Sequence, residues 1–204
     1  MSKIKICGLF RSEDIAYVNE ILPDYAGFII NFPKSHRNLS VDEVAALTKQ
    51  LHPAIRSVGV FVDEGDEVVI NLLRRDVIDI AQLHGNESDA VIRHIQRETN
   101  KPVIKAFTIR SKGDIERANA SAADWILLDY GKGEGKTFDW TLLDGVEREY
   151  FLAGGITIDN LPQVLTEIGP WAVDLSSGVE TDRLKDFDKI REVVTVVRHL
   201  TARV

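Results

Sequence analysis

Lys3-Ile4-Lys5-Ile6-Cys7-Gly8 is a short β-branched run that ends in the only cysteine of the chain and a glycine. A run of this kind reads as a buried strand, Lys3 to Cys7, that stops in a turn. In a parallel sheet, open or closed, side chains at the carboxyl ends of the strands line the ligand site. A thiol placed there faces substrate. The alternative is a buried cysteine acting as a small hydrophobe.

The rest of the chain repeats the same plan. Further strands are expected at Tyr25 to Ile30, Ser57 to Phe61, Ile78 to Leu83, Pro102 to Ala106, Trp125 to Leu128, Glu149 to Leu152 and Ala172 to Leu175. Several are continuous apolar runs, as strands covered on both faces require. Amphipathic segments separate them. Ser12-Glu13-Asp14 supplies a cap and first-turn acids for a helix reaching Ile21, and Ser40 with Glu43 forms a capping box ahead of Val41, Val44, Ala45, Leu47 and Leu51. Apolar stripes also mark helices around Val68 to Leu73, Ala90 to Ile95, Ser111 to Ala120, Asn160 to Ile168 and Phe187 to Val197. Gly131 to Lys136 has neither period and reads as a surface loop. About eight βα units of roughly 25 residues predict a (β/α)8 TIM barrel of class α/β. No GxGxxG or GxxxxGK[ST] follows any strand, as an open nucleotide-binding sheet would often show.

Composition bounds the function. The 204 residues, 44% of them hydrophobic, suit one domain spanning 1–204, and no linker or low-complexity tract divides them. No apolar stretch of about 18 residues and no signal-peptide pattern is present, so a soluble cytoplasmic protein is expected. A single cysteine excludes an internal disulfide framework and multi-cysteine zinc patterns, and the five histidines show no HExxH or His-x-His pair. A metal site is not expected. A net charge of -7 argues against a nucleic-acid or membrane surface. It leaves room for a small anionic ligand held by backbone N–H groups.

In a barrel, the residues just after each strand converge on one face. They are Cys7 and Gly8, Asn31 to Arg37, Phe61 and Asp63, His84-Gly85, Asp129, Gly154-Gly155, and Asp174 with Ser176-Ser177-Gly178. The last two turns follow strands seven and eight, where barrels frequently bind phosphate. They read as an anion cradle, against the plainer reading of tight turns. Asp129 is either an acid kept protonated by partial burial or a turn residue accepting backbone hydrogen bonds. Arg37 either forks onto a carboxylate or is a solvated loop arginine. His84 supports a hydrogen-bond network, and Asp174 orients a hydroxyl or caps a turn.

Taken together, Lys5-Ile6-Cys7-Gly8, Phe32-Pro33-Lys34-Ser35-His36-Arg37, Val58-Gly59-Val60-Phe61, Gln82-Leu83-His84-Gly85, Leu128-Asp129, Gly135-Lys136-Thr137-Phe138-Asp139-Trp140, Ala153-Gly154-Gly155 and Val173-Asp174-Leu175-Ser176-Ser177-Gly178-Val179-Glu180 resemble the phosphoribosylanthranilate isomerase family of tryptophan biosynthesis over the whole length. The resemblance implies a (β/α)8 barrel performing a cofactor-free Amadori rearrangement. N-(5-phosphoribosyl)anthranilate becomes 1-(2-carboxyphenylamino)-1-deoxyribulose 5-phosphate. It implies Cys7 as general base, Asp129 as general acid, Arg37 on the anthranilate carboxylate, and Asp174 on a ribose hydroxyl. Gly154, Gly155, Ser177 and Gly178 would hold the phosphate, His84 would be a supporting residue, and Gly131 to Lys136 would cover the substrate. The chemistry further asks for an ionised Cys7, with Lys5 as its positive neighbour at i−2, and a protonated Asp129. Tyr130 departs from the family, which has a small or hydroxylated residue after the acid. The implied partner is a small phosphorylated substrate, and the protein is expected to be a monomer or homodimer. Competing readings are an isomerase of another phosphorylated aminosugar and a catalytically silent phosphate-binding barrel. The first typically places an aspartate on the first strand, and the second has no need of Cys7 with Asp129.

Overall fold

Residues 2–131 and 140–201 are described in the computed structural model. Eight parallel strands carry the frame: β1 (Lys3–Cys7), β2 (Tyr25–Ile30), β3 (Arg56–Phe61), β4 (Ile80–Leu83), β5 (Val103–Thr108), β6 (Trp125–Asp129), β7 (Tyr150–Ala153) and β8 (Ala172–Leu175). Each pairs with the next in sequence, and β1 pairs with both β2 and β8. That last pairing closes the sheet into a barrel, which leaves no exposed edge among the eight strands.

Among the described residues seven α-helices surround it: α1 (Ser12–Ile21), α2 (Val41–Thr48), α3 (Asp66–Arg74), α4 (Asp89–Thr99), α5 (Lys112–Ala120), α6 (Leu161–Gln163, continuing as a π-helical turn over Val164–Ile168) and α7 (Phe187–Thr201). After β6 the described chain resumes in a 3-10 helix, Trp140–Gly145. The Ser40 capping box forms as expected, with Ser40 N–H donating to Glu43 Oε2 at 2.7 Å. The cap of α1 differs from the expectation. Arg11 occupies the N-cap, and Asp14 satisfies the free N–H groups of Phe10 and Arg11 at 3.0 and 3.1 Å.

Alternation along the strands divides the core in two. Ile4, Ile6, Phe28, Phe61 and Val103 point outward into the layer beneath the helices. Phe61, expected at the rim, therefore belongs to this outer core. Tyr25, Val58, Ile80, Ile104, Leu127, Phe151 and Ala172 fill the barrel interior. At its amino-terminal end Trp125 stacks on Trp171 with centroids 5.4 Å apart, and Phe151 meets Trp171 edge-on. Bulk at that end leaves the carboxyl end of the interior to polar side chains, and Lys5, Cys7, Gln82, Asp129 and Asp174 occupy it.

Candidate active site

The parallel register brings the strand ends together. Lys5 lies opposite Asp174 across the β1–β8 pair, Cys7 opposite Gly27 across β1–β2, and Asp129 opposite Ala153 across β6–β7. A cavity of about 260 Å³ opens there, lined among others by Cys7, Arg37, Gln82, His84, Asp129 and Asp174. Gly154, Gly155, Ser177 and Gly178 line the same cavity, so every site residue expected from sequence meets at one mouth. Ile29, Val60, Ala153 and Ile156 supply apolar wall. Among the described residues no cluster of three or more His, Cys, Asp or Glu side chains is arranged to hold a metal ion.

Cys7 owes its place to a gap in β2. A Cβ on Gly27 would come within 2.9 Å of Cys7 Sγ and 3.1 Å of Lys5 Cε, so glycine there makes room for both. Lys5 is fully buried, and its ammonium donates to Asp174 Oδ2 at 2.8 Å. Burial alone would depress the lysine, but the charge of Asp174 and the hydrogen bond to it outweigh that and leave it above its ordinary value. Burial pushes the Cys7 thiol up, and the Lys5 charge beside it pulls back only part of the way. The expectation of an ionised cysteine thus fails for the substrate-free protein, although its positive neighbour is where alternation put it.

Asp129 differs in the opposite sense. Its Oδ1 accepts the Gly131 N–H at 2.8 Å, and its Oδ2 lies 3.3 Å from His84 Nε2. Burial raises the carboxyl, but hydrogen bonds from His84 and Gly131 and the charge of Lys5 overcome it, and it lies below the usual carboxylate range. The free protein therefore carries a thiol and a carboxylate where the chemistry wants a thiolate and an acid. The first departure comes from burial of the thiol, the second from the hydrogen bonds that His84 and Gly131 give the carboxyl.

Arg37 is not the free fork that sequence suggested. Its Nε and one terminal nitrogen donate to the two oxygens of Glu180 at 2.7 and 2.6 Å, a bidentate pair. Glu180 also accepts from Lys185 Nζ at 2.7 Å, and Lys185 donates to Ser176 O at 3.0 Å. Glu180 and Lys185 lie on the short antiparallel strands Glu180–Thr181 and Leu184–Lys185 after β8. This excursion was not foreseen, because two-residue strands leave no hydrophobic period. Gln82 also went without a role, although its place one residue inside the strand end was readable.

The glycine turns meet backbone to backbone. A Cβ on Gly178 would collide with Ile156 O, and Gly154 and Gly155 take positive φ of 93° and 63°. Ser177–Val179 forms a short 3-10 helix beside these turns. The covering role for Gly131 to Lys136 falls mostly outside the described residues, which stop at 131 and resume at 140.

The sequence profile of the N-(5'phosphoribosyl)anthranilate (PRA) isomerase family matches residues 4–196. The chain belongs to the phosphoribosylanthranilate isomerase family. The isomerase from Endomicrobium trichonymphae is 43% identical over 206 aligned residues, spanning 98% of this chain and 100% of that protein. A crystal structure of monomers made from the dimeric phosphoribosylanthranilate isomerase of Thermotoga maritima superposes with a TM-score of 0.85 at 34% identity, covering 98% of this chain and 100% of that one. Another phosphoribosylanthranilate isomerase structure, in complex with reduced 1-(o-carboxyphenylamino)-1-deoxyribulose 5-phosphate, superposes at 0.83 with 33% identity and coverage of 98% and 100%. Isomerase family and barrel fold agree with the sequence reading.

Proposed function

We propose that this member of the isomerase family converts N-(5'-phosphoribosyl)anthranilate to the 1-deoxyribulose product at the mouth cavity, with Asp129 as acid and Cys7 as base. The observation that carries the assignment is the convergence of a thiol, a carboxyl and two glycine turns in one lined cavity. The phosphate rests against Gly154, Gly155, Ser177 and Gly178, and Asp174 takes a ribose hydroxyl. Arg37, oriented by Glu180, turns its remaining N–H groups to the anthranilate carboxylate.

Asp129 gives a proton to the furanose oxygen, the C1'–O bond breaks, and the anthranilate nitrogen lone pair forms the iminium. The C2' proton, acidified by the iminium, passes to the Cys7 thiolate, and the bond electrons form the enolamine. The Cys7 thiol returns a proton to C1' and the Asp129 carboxylate takes the enol proton, which completes the ketone and restores both groups. Binding a doubly charged ester beside Asp129 favours its protonated form, and the buried Lys5 ammonium stabilises the thiolate. No step uses a cofactor.

The family relationship supports a monomer or homodimer acting on a small phosphorylated substrate as one domain over 1–204. Among the described residues no helix is long and apolar enough to cross a membrane, which is compatible with a cytoplasmic location. The test is a fluorescence assay following loss of freshly made phosphoribosylanthranilate, with a second phosphorylated aminosugar run beside it. Cys7→Ala and Asp129→Asn are each expected to lower turnover by about 10²–10⁴ while inorganic phosphate still binds. Near-normal turnover in either variant removes that residue from the mechanism.

A further inference from the structure

Asp129 is held by its neighbour His84, and His84 is held in turn by Gln82. Gln82 sits on β4 with 1% of its surface exposed, and its Nε2 lies 3.3 Å from His84 Nδ1. An amide nitrogen only donates, so in this arrangement Nδ1 is the acceptor and the imidazole proton sits on Nε2, facing the Asp129 carboxylate. The other end of the same amide is unusual. Gln82 Oε1 is buried in the cavity wall with no hydrogen-bond partner, one of two such side-chain atoms among the described residues. A buried acceptor left empty is costly, and its presence in a site calls for an explanation.

We propose that Gln82 is a positioning residue whose amide turns over between two states, and so couples the tautomer of His84 to the proton on Asp129. In the first state, the one the heavy-atom distances fit, Nε2 of Gln82 donates to Nδ1, and Nε2–H of His84 donates to an ionised carboxyl. In the second, Asp129 carries a proton and donates it toward Nε2 of His84. The imidazole proton then sits on Nδ1 and donates to Gln82 Oε1, which gains the partner it lacks. The second state holds one proton more than the first, on Asp129, and the imidazole is neutral in both.

Charged groups bear on the pair from every side. Lys5 of β1 and Asp174 of β8 form an ion pair across the cavity floor, and Arg37 is neutralised by Glu180. On the far side of the His84 turn, Glu87 is paired with Lys105 of β5 at 2.9 Å, and Asp63 accepts the Asn86 N–H. These partners are already matched, which leaves the Gln82 amide free to follow the proton.

The role assigned to Gln82 rests on Asp129 being the acid. Nitrogen NMR of protein labelled with ¹⁵N-histidine reads the tautomer directly, with His84→Gln identifying the His84 signals among the five histidines. In the free protein His84 is expected as the Nε2–H tautomer. With reduced 1-(o-carboxyphenylamino)-1-deoxyribulose 5-phosphate bound, it is expected as Nδ1–H. Gln82→Met keeps the length and removes both polar atoms. It is expected to abolish that switch and lower kcat about tenfold, part of the roughly 10²–10⁴ a positioned acid supplies, with KM little changed. Gln82→Glu, an acceptor only, is expected to hold the proton on Nδ1 even without ligand. An unchanged tautomer on ligand binding in the wild type, or a Gln82→Met protein that switches and turns over normally, overturns the proposal. Failure of the acid assignment shows separately, as turnover retained by Asp129→Asn.

Discussion

Replacing Glu180 with glutamine removes one carboxylate from between two cations. Lys185 has no exposed side-chain surface, Glu180 retains 6% and Arg37 17%, so the group is shielded from water. Breaking a buried pair by removing one partner typically costs about 3–5 kcal/mol, because the remaining charge is left desolvated and unpaired. For a chain of this size each kcal/mol moves the melting temperature by roughly 2–4 °C, so Glu180→Gln is expected to melt roughly 6–20 °C lower. The difference depends on pH at both ends. Burial raises the Glu180 carboxyl, but hydrogen bonds from Arg37 and Lys185 overcome this and hold it below its ordinary 4.5. Its stabilisation is therefore complete above 4.5 and is lost as pH falls through the lower folded value. Lys185 is pushed below 10.5 by burial against the pull of Glu180, so without that partner it sheds its proton more readily as pH rises. The gap between the two proteins should thus be widest near neutrality and narrow towards acid and alkali. Urea unfolding across pH checks this, with Glu180→Gln/Lys185→Met as a companion expected to recover part of the loss. A gap under about 1 kcal/mol at neutral pH, or a double variant no more stable than the single one, would refute the reasoning.

Arg37→Ala should raise KM for the anthranilate ester by more than it lowers kcat, since the carboxylate loses its forked partner; an unchanged KM and rate count against that role. Lys5→Met should slow alkylation of Cys7 by iodoacetamide, because the charge opposing burial at the thiol is gone, and faster alkylation would contradict it. The same change leaves Asp174 buried without its ammonium, so a stability loss of about 3–5 kcal/mol is expected in calorimetry. Gly178→Ala forces a methyl against Ile156 O and should cost about 1–3 kcal/mol while weakening inorganic phosphate binding, which titration calorimetry would detect.

The barrel was readable because its signal is local and repeated. Runs such as Lys3 to Cys7 and Tyr25 to Ile30 became strands with the expected bounds, and β3, β4, β5 and β7 differ at their ends by two residues or fewer. Ser40 and Glu43 met as a capping box because three residues of separation already fixes that contact. Arg11 was missed as the cap of α1 because Asp14 does the capping by reaching back to backbone N–H groups. Composition favours Ser12 for that place, but only the path of the turn decides it. The short strands carrying Glu180 and Lys185 leave no period to read, so the occupied fork of Arg37 was out of reach.

By itself the sequence determined that this chain alternates strands and helices, and that Cys7, Arg37, His84, Asp129, Asp174 and the glycine turns stand at strand ends. Alternation and turn chemistry act over a few residues, and a closed parallel barrel sends every such end to one mouth. The tertiary structure alone decided the protonation states. Lys5 and Asp174 are 169 positions apart and 2.8 Å from each other, and the hold of His84 on Asp129 crosses from β4 to β6. Burial and Coulomb interaction depend on distance in space, so a thiol raised and a carboxyl lowered became visible only once the strands had closed.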